Sequence, residues 1–431
     1  MENKIYYERL FDSVLDFTLK SKGAIVVEGP KWCGKSTTAS RKCKTKIDLM
    51  SLDTRESYIR SAKISPSKFL NIGERPLLID EWQHVSFLWD QIKYEVDKSR
   101  SFGQFILTGS VTDRDKRSSS DSFKHTGNGR IVRKLMRTMS LYESKDSDGS
   151  VSILDLKNNN FQPTICKSTL DDYAYFLCRG GWPMAVLEQD KEVALEQAKY
   201  YYEMVVSDDI FSLESIKLRK DKNRAKKVLK SYARNIGTSA EDELLRKDCI
   251  GNSEVFDKDV FTKYLLALKE LFVIEELSAW NPNLRSKAAI RTKETRFFLD
   301  PSIAAATLGV TPESLFLDIK TFGFLFENLA IRDLRIYSDY LNANLYKYRD
   351  SNGKEADAVI QFRDGSFGLI EVKLGDEEEI NRAIDNLKKI ALDIDTEKEG
   401  KLSFIMVITK NNAAYSPEPG VYVVPLGCLK P

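Results

Sequence analysis

An α/β architecture that starts with a buried parallel sheet is predicted by three observations. Ala24-Ile25-Val26-Val27, Leu77-Leu78-Ile79 and Phe105-Ile106-Leu107 are short continuous apolar runs, as strands covered on both faces require. Stretches of helical period separate them, as parallel pairing demands. A glycine loop follows the first run at once, where a strand passes into a helix.

Composition bounds the rest. The chain has 431 residues, 42% of them hydrophobic, which suits about three domains with sizeable cores. Its 66 basic and 64 acidic side chains leave a net charge of +2, so only local clustering can point to a partner. The start, Met1-Glu2-Asn3-Lys4, has no leader character, and no apolar run approaches the roughly 20 residues that span a membrane. Cys33, Cys43, Cys166, Cys178, Cys249 and Cys428 are scattered, without a Cys-x-x-Cys pair. That argues against a disulfide framework or zinc knuckle and makes a reducing cytoplasm the expected setting. Two histidines, His84 and His125, leave little room for a His-rich metal site or a Ser-His-Asp triad.

The glycine loop carries the strongest signal. Gly29-Pro30-Lys31-Trp32-Cys33-Gly34-Lys35-Ser36 fits G-x-x-x-x-G-K-[ST] completely, with a strand before it and a helix-compatible run from Thr37 after it. The glycines let the backbone curl so that N–H groups face phosphate oxygens. Lys35 reaches the β and γ phosphates of ATP, Ser36 ligates Mg²⁺, and the helix N-terminus adds positive potential. Asp80 ends the next strand, where a carboxylate supporting Mg²⁺ belongs, and Glu81 beside it is placed to polarise the attacking water. Thr108-Gly109-Ser110 ends the third run, with a hydroxyl at the γ-phosphate edge.

Further along, 113–129 is polar and serine-rich, a loop. Helices are expected over 167–215, broken at Gly180-Gly181-Trp182-Pro183. Residues 222–300 hold three helical segments and then two strand-like runs around Asn281-Pro282-Asn283, a winged-helix pattern. The expected division is 1–150, a helical connection 151–220, a winged-helix-like segment 221–300, and 301–431.

In the last part, Glu355 to Phe362, Arg363-Asp364-Gly365 and Ser366 to Lys373 form a predicted β-hairpin with a three-residue loop. That register sets Asp357 opposite Glu371, with Lys373 two residues on along the same face. Two carboxylates and a lysine so placed resemble the PD-(D/E)XK nuclease core, in which acids bind magnesium and lysine activates water. Glu327 shares a helical stripe with Phe324, Ile331 and Leu334 and is a further candidate ligand beside Asp357 and Glu371. The competing reading of Asp357, Glu371 and Lys373 is a solvated hairpin face.

Taken together, the phosphate loop, Ser51-Leu52-Asp53, Leu78-Ile79-Asp80-Glu81-Trp82-Gln83, Phe105 to Ser110 and Gly129-Arg130 make residues 1–145 similar to a prokaryotic AAA-type ATPase domain. In that family a Gly-Arg follows the third strand at this distance, which makes Arg130 a candidate γ-phosphate or transition-state arginine; a loop arginine with no catalytic role is the alternative. Residues 165–430 resemble the domain of unknown function that accompanies it, through Gly180 to Pro183, Asp209-Ile210, Phe298-Leu299-Asp300, Glu327-Asn328, Glu355-Ala356-Asp357 and Ile370 to Lys373. The resemblance implies a P-loop NTPase sheet of AAA type and a restriction-endonuclease-like α/β domain, with the winged-helix-like segment read from the pattern of 222–300 between them.

Basic residues cluster at Lys217, Arg219, Lys220, Lys222, Arg224, Lys226, Lys227, Lys230 and Arg234, and again at Arg285, Lys287, Arg291, Lys293 and Arg296. Such clusters suit phosphate contacts with DNA or another nucleic acid; an ordinary solvated helix face is the alternative. The sequence thus supports an ATPase coupled to a nucleic-acid-binding, nuclease-like region. It also supports a nucleotide-dependent scaffold or signalling protein with an inactive nuclease-like fold. It leaves oligomeric state open.

Overall fold

The computed structural model describes residues 5–109, 129–213, 218–250, 256–281, 293–350, 353–394 and 400–431. Residues 113–128 of the predicted loop, Ser110, His125, Lys217, Arg285, Lys287 and Arg291 lie outside them. So do Pro282 and Asn283 of the expected turn.

The N-terminal sheet is parallel throughout. Its strands are β1 (Ala24–Glu28), β2 (Thr45–Asp48), β3 (Leu77–Asp80), β4 (Phe105–Thr108) and β5 (Ile131–Leu135), in the order β2-β3-β4-β1-β5. Alternate side chains enter two cores, as a pleated strand dictates. Ala24, Val26, Leu77, Ile79, Phe105 and Leu107 pack with Ala62, Phe69, Ile92 and Val96. Ile25, Val27, Leu78 and Ile106 pack with Phe11 and Leu15 of the helix Leu10–Leu19 and Ala39 of the helix Lys35–Lys42. Parallel pairing brings the C-terminal ends of β1, β3 and β4 to one edge, so the loops carrying Gly29, Glu81 and Gly109 are neighbours.

The expected boundary near 150 falls inside a closely tied region. Strand β6 (Val151–Ser152) pairs with β14 (Leu429–Lys430), and β7 (Thr164–Ile165) pairs with β12 (Ala413–Glu418). The helices Leu170–Arg179, Lys191–Met204, Lys222–Arg234, Asp242–Asp248 and Lys258–Glu270 follow. Antiparallel bridges Ile274–Phe298 and Leu277–Thr295 come after the last of these, so three helices do lead into a paired ribbon. One apolar cluster includes residues from Leu141 to Leu429 and takes in side chains from β6, β12, β14 and all five of these helices.

The long helix Ile319–Leu341 packs on the second sheet. Its remaining strands are β8 (Asn344–Arg349), β9 (Glu355–Gln361), β10 (Phe367–Lys373), β11 (Leu402–Thr409) and β13 (Val421–Pro425), and its order is β7-β12-β13-β11-β10-β9-β8. β8, β9 and β10 form an antiparallel meander; the helix Glu377–Asp393 then crosses over to β11, parallel to β10. The β9–β10 turn closes through Phe362 N to Ser366 O, and Ile370 lies opposite Ala358. Asp357 and Glu371 are therefore next in line, in the register read from the sequence.

A buried polar joint links the two halves. Arg332, with its side chain 1% exposed, lies between Asp333 (2.7 Å) and Asp300 (3.3 Å). Asp300 also accepts from Thr138 Oγ1 (2.6 Å) and Gly181 N (2.9 Å), and Asp333 accepts from Leu141 N (3.0 Å). Removing one partner of a buried pair costs about 3–5 kcal/mol. Arg332→Met is expected to lower the unfolding free energy by about that amount in urea titration. Burial already lifts the Asp333 carboxyl to about 6, against the pull of Arg332. Without Arg332 that carboxyl rises further, so the folded state binds the extra proton. The loss of stability should therefore deepen as pH rises above about 6.

Candidate functional site

The phosphate loop is a backbone cradle. Gly29 has φ +148° and Gly34 φ +102°; a Cβ on Gly29 would lie 2.1 Å from Met136 O. Gly34 is the N-cap of the helix Lys35–Lys42, which has no side-chain cap and no acid in its first turn. Its first N–H groups are thus left to an anion, so the loop fits the phosphates of ATP. Lys35 Nζ donates to Gly29 O (2.9 Å) and Pro30 O (2.7 Å), which keeps its ammonium over the loop. Cys33 is buried, with its thiol 3.4 Å from Met136 O, and its carbonyl accepts from Arg9 Nη1 at 2.9 Å. Trp32 is half exposed with φ +65°. Thr37 stands in the first turn of the helix.

Asp80 gathers this edge of the sheet. Its Oδ1 accepts from Ser36 Oγ (2.7 Å) and from Thr108 Oγ1 (2.6 Å), and its Oδ2 pairs with Lys46 (3.0 Å). The residue is 2% exposed. Burial acts to lower the Lys46 pKa, but Asp80 and Asp48 raise it above the usual lysine value. Glu81 follows with φ +56°, the left-handed region that non-glycine residues seldom occupy, and accepts from Gln83 Nε2.

Arg130 is a correction. It precedes β5, whose first residue lies beside Ala24, and its carbonyl accepts from Ala24 N. That is the N-terminal edge of the sheet, a strand length from the phosphate loop, and the guanidinium pairs there with Asp97. Within one chain it is not placed to meet a γ-phosphate.

The second constellation also assembles, with an extra cation. Lys347, from β8, stands 3.5 Å from both Glu327 and Asp357. Lys373 pairs with Glu371 at 2.8 Å, and Asp357 Oδ2 accepts from Val372 N at 2.9 Å. Glu371 Oε2 is buried without a hydrogen-bond donor, and Glu327 Oε1 faces Lys347 Nζ only at 3.5 Å. Burial first, and the charge of Asp357 second, lift both glutamates to about 8. Burial would lower Lys347, but Glu327 and Asp357 hold it above the usual lysine range. The solvated hairpin face considered from sequence does not hold, since Asp357 and Glu371 are buried. Among the described residues no group of three His, Cys, Asp or Glu is arranged to hold a metal ion. The Lys347 ammonium supplies the positive charge between Glu327 and Asp357 instead. Of the expected stripe, Ile331 and Leu334 are buried whereas Phe324 is exposed.

Sequence reasoning passed over Arg9, Lys46 and Lys347, and met Asp209 only as part of the family resemblance. Each is a charged residue in a short or mixed segment, and only its spatial partner marks it out. Lys46-Ile47-Asp48 alternates as any half-exposed strand does.

Residues 21–145 match an AAA domain family. Residues 170–314 and 322–429 match two families described as domains of unknown function, DUF8612 and DUF4143. No curated protein matches the chain. Among solved structures, the Walker-type ATPase paby2304 of Pyrococcus abyssi is 17% identical, with a TM-score of 0.44, over 71% of this chain and 97% of that one. The ORC2 protein of Aeropyrum pernix, solved in ADPNP–ADP complexes, is 12% identical with a TM-score of 0.21, over 77% and 97%. Such loose likenesses fix no domain arrangement. The family match and the parallel sheet together define residues 21–145 as an ATP-binding AAA-type P-loop domain.

The raised carboxyls give a stability test. An unfolded glutamate titrates near pH 4.3, so between about 4.3 and 8 the folded chain binds the extra protons and loses stability as pH rises. Glu371→Gln removes one such proton. Its melting temperature should exceed the wild-type value at pH 8, and the gain should vanish near pH 4.5.

Proposed function

We propose that the protein is a Mg²⁺-dependent ATPase whose nucleotide cycle drives a nucleic-acid-engaging C-terminal region. The observation that carries this reading is Asp80, buried and bonded at once to the phosphate-loop Ser36 and to Thr108. Ser36 and Asp80 would hold magnesium, which neutralises charge on the β and γ phosphates. Lys35 binds those phosphates from the loop. Glu81, oriented by Gln83, positions the attacking water, and Thr108 connects the γ-phosphate edge to Asp80.

For nucleic acid, the support is the helix Lys222–Arg234, which exposes Lys222, Lys226, Lys230 and Arg234, followed by two more helices and a paired ribbon in winged-helix order. The helix, meander, helix and strand order of 319–409 and the cluster of Glu327, Asp357, Glu371 and Lys373 support a nuclease-like domain. A second reading, a nucleotide-dependent scaffold with an inactive nuclease-like fold, is favoured by Lys347 among the carboxylates. It is also favoured by the ion pairs of Lys220 and Lys226 with Asp208 and Glu203.

Steady-state hydrolysis and filter binding separate the readings. The wild type should hydrolyse ATP with magnesium, and Glu81→Gln should lose about 100-fold or more in kcat while still binding nucleotide. Duplex DNA should bind with an affinity that falls steeply with salt, and more weakly when Lys226 and Lys230 are both changed to Glu. Hydrolysis without DNA binding at low salt would establish the scaffold. No hydrolysis under any condition would remove the ATPase.

A further inference from the structure

The phosphate loop is gripped from outside its own domain. Lys31 Nζ donates to Asp209 Oδ1 at 2.6 Å; the Lys31 side chain is 44% exposed, that of Asp209 only 8%. Trp32, the next residue, meets Tyr201 edge-on with ring centroids 5.7 Å apart, and Tyr201 lies 4.2 Å from the Trp182 ring. The exposed edge of the loop is therefore tied by one ion pair and one aromatic contact to the helices that follow the sheet.

Asp209 ends an unusual element. Val205–Asp209 is a π-helical turn between the helices Lys191–Met204 and Ile210–Ser212. Such turns carry one residue too many for the α-helical ladder and recur at functional positions. Two other residues of this turn face the basic segment: Ser207 Oγ lies 3.1 Å from Lys222 Nζ, and Asp208 pairs with Lys220 at 3.3 Å. Three consecutive residues, Ser207 to Asp209, thus touch both the start of the basic helix Lys222–Arg234 and the phosphate loop.

The electrostatics of the loop make this contact conditional. A carboxylate buried to this degree needs its cation. Triphosphate oxygens arriving in the cradle are a competing anion of higher charge, and they repel Asp209. Lys31 can satisfy the phosphates or Asp209, and an ammonium on a flexible stem can swing between them.

We propose that Lys31 and Asp209 form a nucleotide-sensitive latch. The proposal rests on ATP binding at the loop. Phosphates draw Lys31 away from Asp209, and the freed turn loosens its hold on Lys220 and Lys222. Nucleotide occupancy is in this way read out at the basic helix. Asp209 is a positioning residue here, acting through Lys31 and making no contact with nucleotide.

Hydrogen exchange on the full chain, with and without saturating MgATP, tests the latch. In the wild type, amides of 205–212 should exchange faster with ATP. Asp209→Asn should exchange fast already without ATP, show no further change, and bind ATP about fivefold or more tighter. Lys31→Met frees Asp209 from the other side and should likewise exchange fast without nucleotide. Unchanged exchange in the wild type at saturating ATP, or wild-type affinity in Asp209→Asn, overturns the latch. Lys35→Ala separates this from a failure of the nucleotide site. If ATP binds the wild type but not Lys35→Ala, the site stands whatever the exchange shows. If ATP binds neither, site and latch both fall.

Discussion

A guanidinium with almost no access to water imposes the main constraint on this molecule. Arg332 lies inside the long helix of the C-terminal half, and its charge requires partners at the point where the two halves meet. Asp333 comes from its own helix and Asp300 from the end of the preceding ribbon. The same Asp300 oxygen that faces Arg332 also fixes Thr138 and Gly181, and the second oxygen of Asp333 fixes Leu141; these segments leave the parallel sheet and enter the helical region. One buried charge therefore sets how the chain passes from one half to the other. Nearby, Arg9 does similar work at the phosphate loop, holding Cys33 O while pairing with Glu143 at 3.0 Å.

The nucleotide site depends on that scaffold. Parallel pairing of β1, β3 and β4 brings the phosphate loop, Asp80 and Thr108 to one edge, and Arg9 and Met136 brace the loop from behind. Chemistry at the edge needs few groups, because the backbone and a helix N-terminus do most of the anion binding. The C-terminal cluster differs in kind. It crowds three carboxylates with two lysines under a sheet, at the cost of strongly raised glutamate pKa values. Lys347 offsets part of this crowding, standing 3.5 Å from both Glu327 and Asp357.

The parallel sheet and the phosphate loop were legible because their signals are local. An apolar run, two glycines and a lysine sit within a dozen residues, and each demands a single backbone conformation. The β9–β10 hairpin was legible for the same reason, since Gly365 closes a three-residue loop and the register follows. What escaped was the set of long-range partners. Lys347 on β8 reads as one more surface lysine until the sheet sets it between Glu327 and Asp357. Arg130 failed the other way, because the resemblance gave its distance along the chain and not the edge of the sheet on which it falls. The sequence pieces Gly180 to Pro183, Phe298 to Asp300 and Asn328 were grouped by the family resemblance alone, with no physical reason for the grouping. In the structure Gly181 N meets Asp300, Trp182 Nε1 meets Ser302, and Asn328 caps both polar groups of Phe298. Their role is to hold the joint together.

The central claim is that Asp80 joins the phosphate loop to magnesium and the γ-phosphate edge. Calorimetric titration of ATP into the full chain, with magnesium and with a chelator, beside Asp80→Asn, tests it most directly. The account predicts one nucleotide per chain, tighter binding with magnesium in the wild type, and no magnesium dependence in Asp80→Asn. Equal affinity with and without magnesium in the wild type, or an undiminished magnesium effect in Asp80→Asn, would contradict it.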